Sequence, residues 1–235
     1  PNNIYQEYRT NKGLAEIANS IAFTRGMKTL EIGTGDGNEA LWLAGSGAYC
    51  TCIEINPKLC IALKTKIRKT GLQNACAIVR ADAQNLPFRR DLFDAVFCKS
   101  VLHHLKNPLI AVMEMTATAK KNGKVAAICE TNALNPLWHL AKLLVSRLHI
   151  ESTLFYAFEF TDPDVKSFYP WELRELFRKA NIDCVKSKSI WLPYVHLLQL
   201  CPQIAFKMWL AFEKMAEITP ISYVFGQLTA MGKKA

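Results

Sequence analysis

The sequence predicts an α/β protein: a largely parallel sheet with helices covering both faces. Short apolar, strand-like runs alternate with helix candidates through the first half of the chain, as βα units require. The first apolar run ends in Thr29-Leu-Glu-Ile-Gly-Thr-Gly-Asp-Gly37, a glycine-rich turn of the kind that opens a helix beneath a bound nucleotide-like group. Half of the 235 residues are hydrophobic, which supplies ample material for a core.

The elements follow in order. Lys28–Ile32 reads as the first strand, and Gly33, Gly35 and Gly37 form the turn into a helix over Glu39–Gly45. Ala48–Ile55 reads as a second strand, and Pro57 suits the first turn of a helix that ends at Gly71. Cys76–Arg80 and Asp94–Cys98 are the third and fourth strands. Pro108–Lys121 is a helix, closed by a Lys121-Asn122-Gly123 turn before a strand at Val125–Glu130. The regularity then breaks. Asn135–Ile150 is an amphipathic helix candidate, Leu154–Tyr169 is aromatic, Trp171–Ala180 is helical and Ile182–Lys186 is a strand. Pro193–Glu217 reads as helical in two parts, and Ile221–Met231 as a last strand. The whole, residues 1–235, reads as one domain, with elaborations at about 131–170 and 190–217.

Composition narrows the function classes. The net charge of +9 suits nucleic acid or an anionic membrane, but the basic runs, Lys64–Thr70 and Lys120–Lys124, are short and fit solvated helix ends. The eight cysteines are scattered, with no CxxC pair and no Cys/His ligand spacing, so no metal is expected and a reducing, cytoplasmic setting is. The start carries no signal-peptide pattern, and the apolar stretch Ile190–Phe206 is too short and interrupted to span a bilayer.

The glycine spacing is GxGxG rather than the dinucleotide GxGxxG, whose third glycine would fall at Asn38. That disfavours a nicotinamide dehydrogenase. Glu54 closes the second strand nineteen residues after Gly35, and Asp82 follows the third. Leu86-Pro-Phe88 precedes Phe93–Cys98 and then Lys99-Ser-Val-Leu-His-His-Leu105, and a lysine-glycine turn leads to the next strand. In this order and at these spacings, Lys28–Glu130 resembles the class I S-adenosylmethionine (SAM)-dependent methyltransferases, and most closely the small-molecule type 11 group. The resemblance implies a Rossmann-like sheet of order 3-2-1-4-5-7-6 with the last strand antiparallel. It implies SAM as cofactor, held by Glu31, Gly33, Thr34, Gly35, Gly37, Glu54, Ile55, Asp82, Ala83, Cys98 and Lys99. Glu54 would accept the ribose hydroxyls and Asp82 the adenine amino group.

Ser100, His103 and His104 are spaced i, i+3, i+4, so on a helix they share one face, and His103 or His104 is a candidate general base. Helix capping or packing is the structural alternative. Some related quinone methyltransferases hold a metal at these three positions with two carboxylates and a histidine. Ser100 and His103 replace those carboxylates here. The resemblance also lacks the Asn/Asp-Pro-Pro-aromatic and Pro-Cys motifs of many nucleic-acid methyltransferases, so no nucleic-acid partner is expected.

The family binds acceptors with variable segments around the strand carboxyl ends, most of them outside the resemblance. Ser100, Glu130, Asn132, Trp138, Phe155 and Tyr169 are the candidate substrate residues. The large apolar residues after Glu130 predict either extra core or a site for a small lipophilic acceptor, with Lys142, Arg147, Lys207 and Lys214 suited to peripheral contact with anionic lipid. The alternatives are a nucleic-acid or protein methyltransferase and a SAM-binding subunit without turnover of its own.

Overall fold

A computed structural model describes residues 4–136, 165–190 and 226–235, together with the single positions 139, 143, 211, 223 and 224. In chain order its elements are α1 (Ile4–Ser20), β1 (Lys28–Ile32), α2 (Asn38–Gly45), β2 (Tyr49–Glu54), α3 (Pro57–Lys69), β3 (Cys76–Arg80) and β4 (Phe93–Lys99). A 3-10 turn at Leu102–His104 follows, then α4 (Pro108–Thr118), β5 (Ala119–Glu130), α5 (Pro170–Lys179), β6 (Ile182–Ile190) and β7 (Gln227–Lys234). The seven strands form one sheet in the order β3-β2-β1-β4-β5-β7-β6, as the resemblance implied. β1 to β5 pair in parallel, and β7 runs antiparallel to both β5 and β6.

Alternation along each strand feeds two cores. Leu30, Ile32, Val96, Cys98, Val125 and Ala127 face the layer of Val112, Met115, Leu173 and Phe177 from α4 and α5. Cys50, Cys52, Ala95, Phe97, Ala126 and Ile128 face Ile17, Leu43, Leu63 and Ile67 from α1, α2 and α3. Both faces are covered, so the inner strands carry nearly unbroken apolar runs.

The structure changes several expected boundaries. The expected helix to Lys121 stops at Thr118, because β5 begins at Ala119. Phe93 pairs with Ala119 but Ala95 pairs with Lys124, so Lys121-Asn122-Gly123 is a bulge inside β5, with Asn122 at φ 61°. β6 extends to Ile190, and the last strand runs from Gln227 to Lys234 rather than from Ile221 to Met231. The helix α1 has no counterpart in the sequence reading, yet it buries Leu14 and Ile17 at helical spacing, and Ile21 just after it is buried too. Among the described residues, no helix is long and apolar enough to cross a membrane.

Candidate functional site

The glycine turn leaves the carboxyl end of β1 and is pinned to the end of β2. Thr34 donates its backbone N–H to Ile53 O at 3.0 Å, and its hydroxyl bonds Glu31 O and Ile53 O. Gly33, Gly35 and Gly37 all have positive φ. A Cβ at Gly33 would strike Val101 and one at Gly37 would strike Leu63, whereas one at Gly35 would meet nothing within 4 Å. The turn therefore packs on protein at its two ends and faces open space at its middle, where a bound group can approach the backbone.

Glu54 closes β2 and is buried, at 7% exposure. Its Oε2 accepts the Gly35 N–H at 3.0 Å and its Oε1 accepts the Asn56 N–H at 2.9 Å. One carboxylate thus braces the glycine turn against the first turn of α3, a structural role that the residue spacing alone does not assign. Asn56 caps α3 by accepting from Lys58 N, and Pro57 fills the first helical position. Between them Ile55 presents an apolar side chain that is 61% exposed. After β3 the exposed Asp82 accepts the Gln84 N–H at 2.9 Å, and Ala83 is buried beside it. Gly35, Glu54, Ile55 and Asp82 are thereby gathered at the carboxyl ends of three adjacent strands, where parallel α/β sheets bind ligands.

Three other expected cofactor residues are placed differently. Cys98 is wholly enclosed in the core, where burial, with Glu130 and Glu31 nearby, pushes its thiol well above the usual range. Glu31 is 2% exposed, and burial, with Cys50 and Glu39 adding to it, raises its carboxyl well above the ordinary value. Lys99 pairs with Glu39. Burial alone would lower the Lys99 ammonium, but Glu39 outweighs it and the net shift is upward.

The ends of β4 and β5 make a second constellation. The expected helix carrying Ser100, His103 and His104 on one face is instead a three-residue 3-10 turn. Ser100 stands at φ 54° before it and donates its hydroxyl to Cys129 O at 3.1 Å. Cys129 is itself at φ 59°, where the β5 register against β7 slips. Two non-glycine residues in this sparsely populated region, side by side, are held there by their surroundings.

That slip brings Glu130 beneath the turn. Its Oε1 accepts the N–H groups of Val101 and Leu102, and its Oε2 accepts the His103 N–H, each at 3.1 Å. His103 Nδ1 lies 2.7 Å from the same Oε2, with both side chains fully buried. Glu130 was a candidate substrate residue; here it holds three amides and an imidazole and has no exposed surface. The His104 ring packs against His103 at a tilt of 49°, with ring centroids 4.2 Å apart, and is exposed. Histidines expected side by side on one face are therefore divided between core and surface.

Asn132 is also engaged. Its amide donates to the carbonyls of Tyr223, Val224 and Gly226, and its oxygen accepts from Leu134 N, so it struts the chain rather than facing a substrate. Tyr169 is part-exposed and stacks on Trp171 at 4.6 Å. Trp138 and Phe155 lie outside the described residues. A cleft of about 700 Å³ between Arg90, Met113, Arg178, Asn181 and Lys234 lies at the opposite end of the sheet from the glycine turn.

Comparison with known proteins bears on this arrangement. Residues 30–127 match the family described as "Methyltransferase domain". The chain is 30% identical over 108 residues to the sterol 4-C-methyltransferase strm-1 of Caenorhabditis elegans, covering 46% of this chain and 32% of that protein. It is 29% identical over 111 residues to a demethylmenaquinone methyltransferase of Clavibacter sepedonicus, covering 47% of this chain and 44% of that one. The match thus spans less than half the length of these relatives. Among solved structures, phosphoethanolamine N-methyltransferase 2 of Haemonchus contortus, in complex with SAM, superposes with a TM-score of 0.68 at 16% identity. That superposition covers 95% of this chain and 52% of that one.

Proposed function

From a chain that carries a class I SAM-dependent methyltransferase domain, we propose transfer of the methyl group of SAM to a small, apolar acceptor. The observation that carries the reading is the joined geometry of Gly35 and Glu54: an open backbone position bonded to a carboxylate at the next strand end. These residues fit an adenosyl group. The Glu54 carboxylate keeps lone pairs beyond its two backbone partners, and a carboxylate is the best acceptor for paired hydroxyls. Ile55 offers an exposed apolar face for the adenine, and Asp82 an exposed acceptor beyond it.

SAM supplies a methyl group already activated by its sulfonium. The chain's own work is accordingly alignment, with a base only where the acceptor must lose a proton. His104, exposed after the end of β4, takes that proton. His103 positions it: the bond to Glu130 fixes the His103 ring, and the His104 ring rests on it. Glu130 in turn holds the turn's amides, so the whole base-bearing segment is rigid before an acceptor arrives.

The relatives named for sterol and demethylmenaquinone substrates support an apolar acceptor, as does the density of aromatic residues after Glu130. The net charge of +9 supports peripheral contact with an anionic membrane surface, where such an acceptor resides. Incubation with methyl-labelled SAM and total cell extract tests the reading. Label is expected in the organic phase; label confined to RNA or protein, or none despite SAM binding, contradicts it.

A further inference from the structure

Beneath the glycine turn, β1, β2 and β3 enclose a group of metal-competent donor atoms. Cys50 and Cys52 are two apart on β2 and so point to one face of the sheet. Glu31 stands opposite Cys52 in the β1–β2 register, and Cys76 stands opposite Cys50 in the β2–β3 register. A Glu31 carboxylate oxygen and the Sγ atoms of Cys50 and Cys52 all lie within 4.8 Å of one another. The Cys52 and Cys76 sulfurs are 3.7 Å apart. Glu31, Cys50, Cys52 and Cys76 are 2%, 2%, 0% and 4% exposed. Within this closed space Glu31 Oε2 makes no hydrogen bond to any described residue.

We propose that Glu31, Cys50 and Cys52, with Cys76 beside them, form a closed binding site for a soft divalent cation of the zinc class. Two thiolates and a carboxylate are a donor set that selects such an ion over magnesium or calcium. Tetrahedral zinc with sulfur at about 2.3 Å separates its sulfur ligands by about 3.8 Å, so side-chain rotations of about an ångström suffice to close the cluster. Thiol-to-thiol hydrogen bonding accounts for the 3.7 Å sulfur contact. It leaves the buried Glu31 Oε2 unmet, and a buried polar atom in that state calls for a partner. A cation supplies one. Binding releases the protons of the two thiols and of Glu31 to solvent.

Glu31 is two residues before Gly33 and Cys52 two before Glu54, so an ion there clamps β1 to β2 directly under the SAM-binding turn. The enclosure means that loading accompanies folding, as in structural zinc sites.

The test uses the full chain, unfolded and refolded under reducing conditions with and without cadmium as the probe. One cadmium per chain is expected to survive passage over a chelating resin, with a thiolate-to-cadmium absorption band and a raised Tm. Cys50→Ala and Cys52→Ala should each lose the ion and the band, while Cys60→Ala, on α3 outside the cluster, keeps both. A refolded wild-type chain that retains no cadmium overturns the proposal, as does retention that Cys50→Ala and Cys52→Ala leave unchanged. The wild-type stoichiometry decides even if a variant does not fold, and it is independent of any methyl transfer.

Discussion

The two ends of the sheet use their carboxylates in opposite ways. At the carboxyl ends of the strands, Glu54 and Glu130 are buried and accept backbone N–H groups from the loops above them. At the amino ends, the part-exposed Asp94 and the exposed Asp91 pair with Lys120 and Lys234 at 2.6 and 2.8 Å, Asp94 also accepting the single Lys28 N–H. A buried carboxylate that satisfies several amides fixes a loop to within a fraction of an ångström, whereas an exposed ion pair contributes little and is screened by salt. Under the proposed function, the end with the buried carboxylates is the one that would align two reactants. The fold itself needs only the weaker arrangement.

Substitutions at the two ends should differ accordingly. Glu130→Ala removes the acceptor for three buried amides and the His103 ring, and should destabilise the chain by about 5 kcal/mol, a large share of a typical domain's stability. Chemical denaturation measures this; a loss under about 1 kcal/mol would erase the contrast between the ends. His104→Ala should lower kcat by roughly 10²–10⁴-fold with SAM affinity and Tm near normal, if the acceptor must be deprotonated. His103→Ala should instead lower Tm, because its ring is buried and bonded to Glu130. Equal kinetics in the wild type and His104→Ala would remove the base from the scheme.

Asp94→Asn should have the smallest effect, roughly 1 kcal/mol or less, since the Asp94 side chain is one-third exposed. Burial pushes the Asp94 carboxyl up, but Lys120 and the Lys28 N–H outweigh it and hold it below its ordinary value. A carboxyl lowered in the folded state stabilises above its unfolded value and loses that contribution as pH falls through the folded one. The variant should therefore approach the wild type in stability at acid pH and fall slightly below it at neutral pH. A gap that widens on acidification would reverse the assigned sign.

The same contrast explains what could be read from sequence. Lys28–Ile32 and Cys76–Arg80 are strands at their expected boundaries, because apolar runs bounded by turn residues report burial directly. Glu54 and Asp82 were legible as strand-end acids because their spacing from the glycine turn carries the signal. The bulge in β5 was not, since Lys-Asn-Gly marks a sharp backbone reversal equally well in a turn or in a strand. Nor was the 3-10 turn at Leu102–His104. An i, i+3, i+4 pattern presumes a continuing helix, and only the left-handed Ser100 and the Glu130 cap show that none forms. The Cys50-Thr-Cys52 alternation did carry a signal for the buried cluster, since two residues apart on a strand means one shared face.

The central claim is that the turn braced by Glu54 holds SAM, and isothermal titration calorimetry of SAM against the wild type and Glu54→Ala tests it most directly. Wild-type binding at micromolar levels without competition from NAD is expected. The variant should lose roughly 2–4 kcal/mol of binding through two charge-assisted hydrogen bonds. Unchanged SAM affinity in a folded Glu54→Ala chain would contradict the assignment.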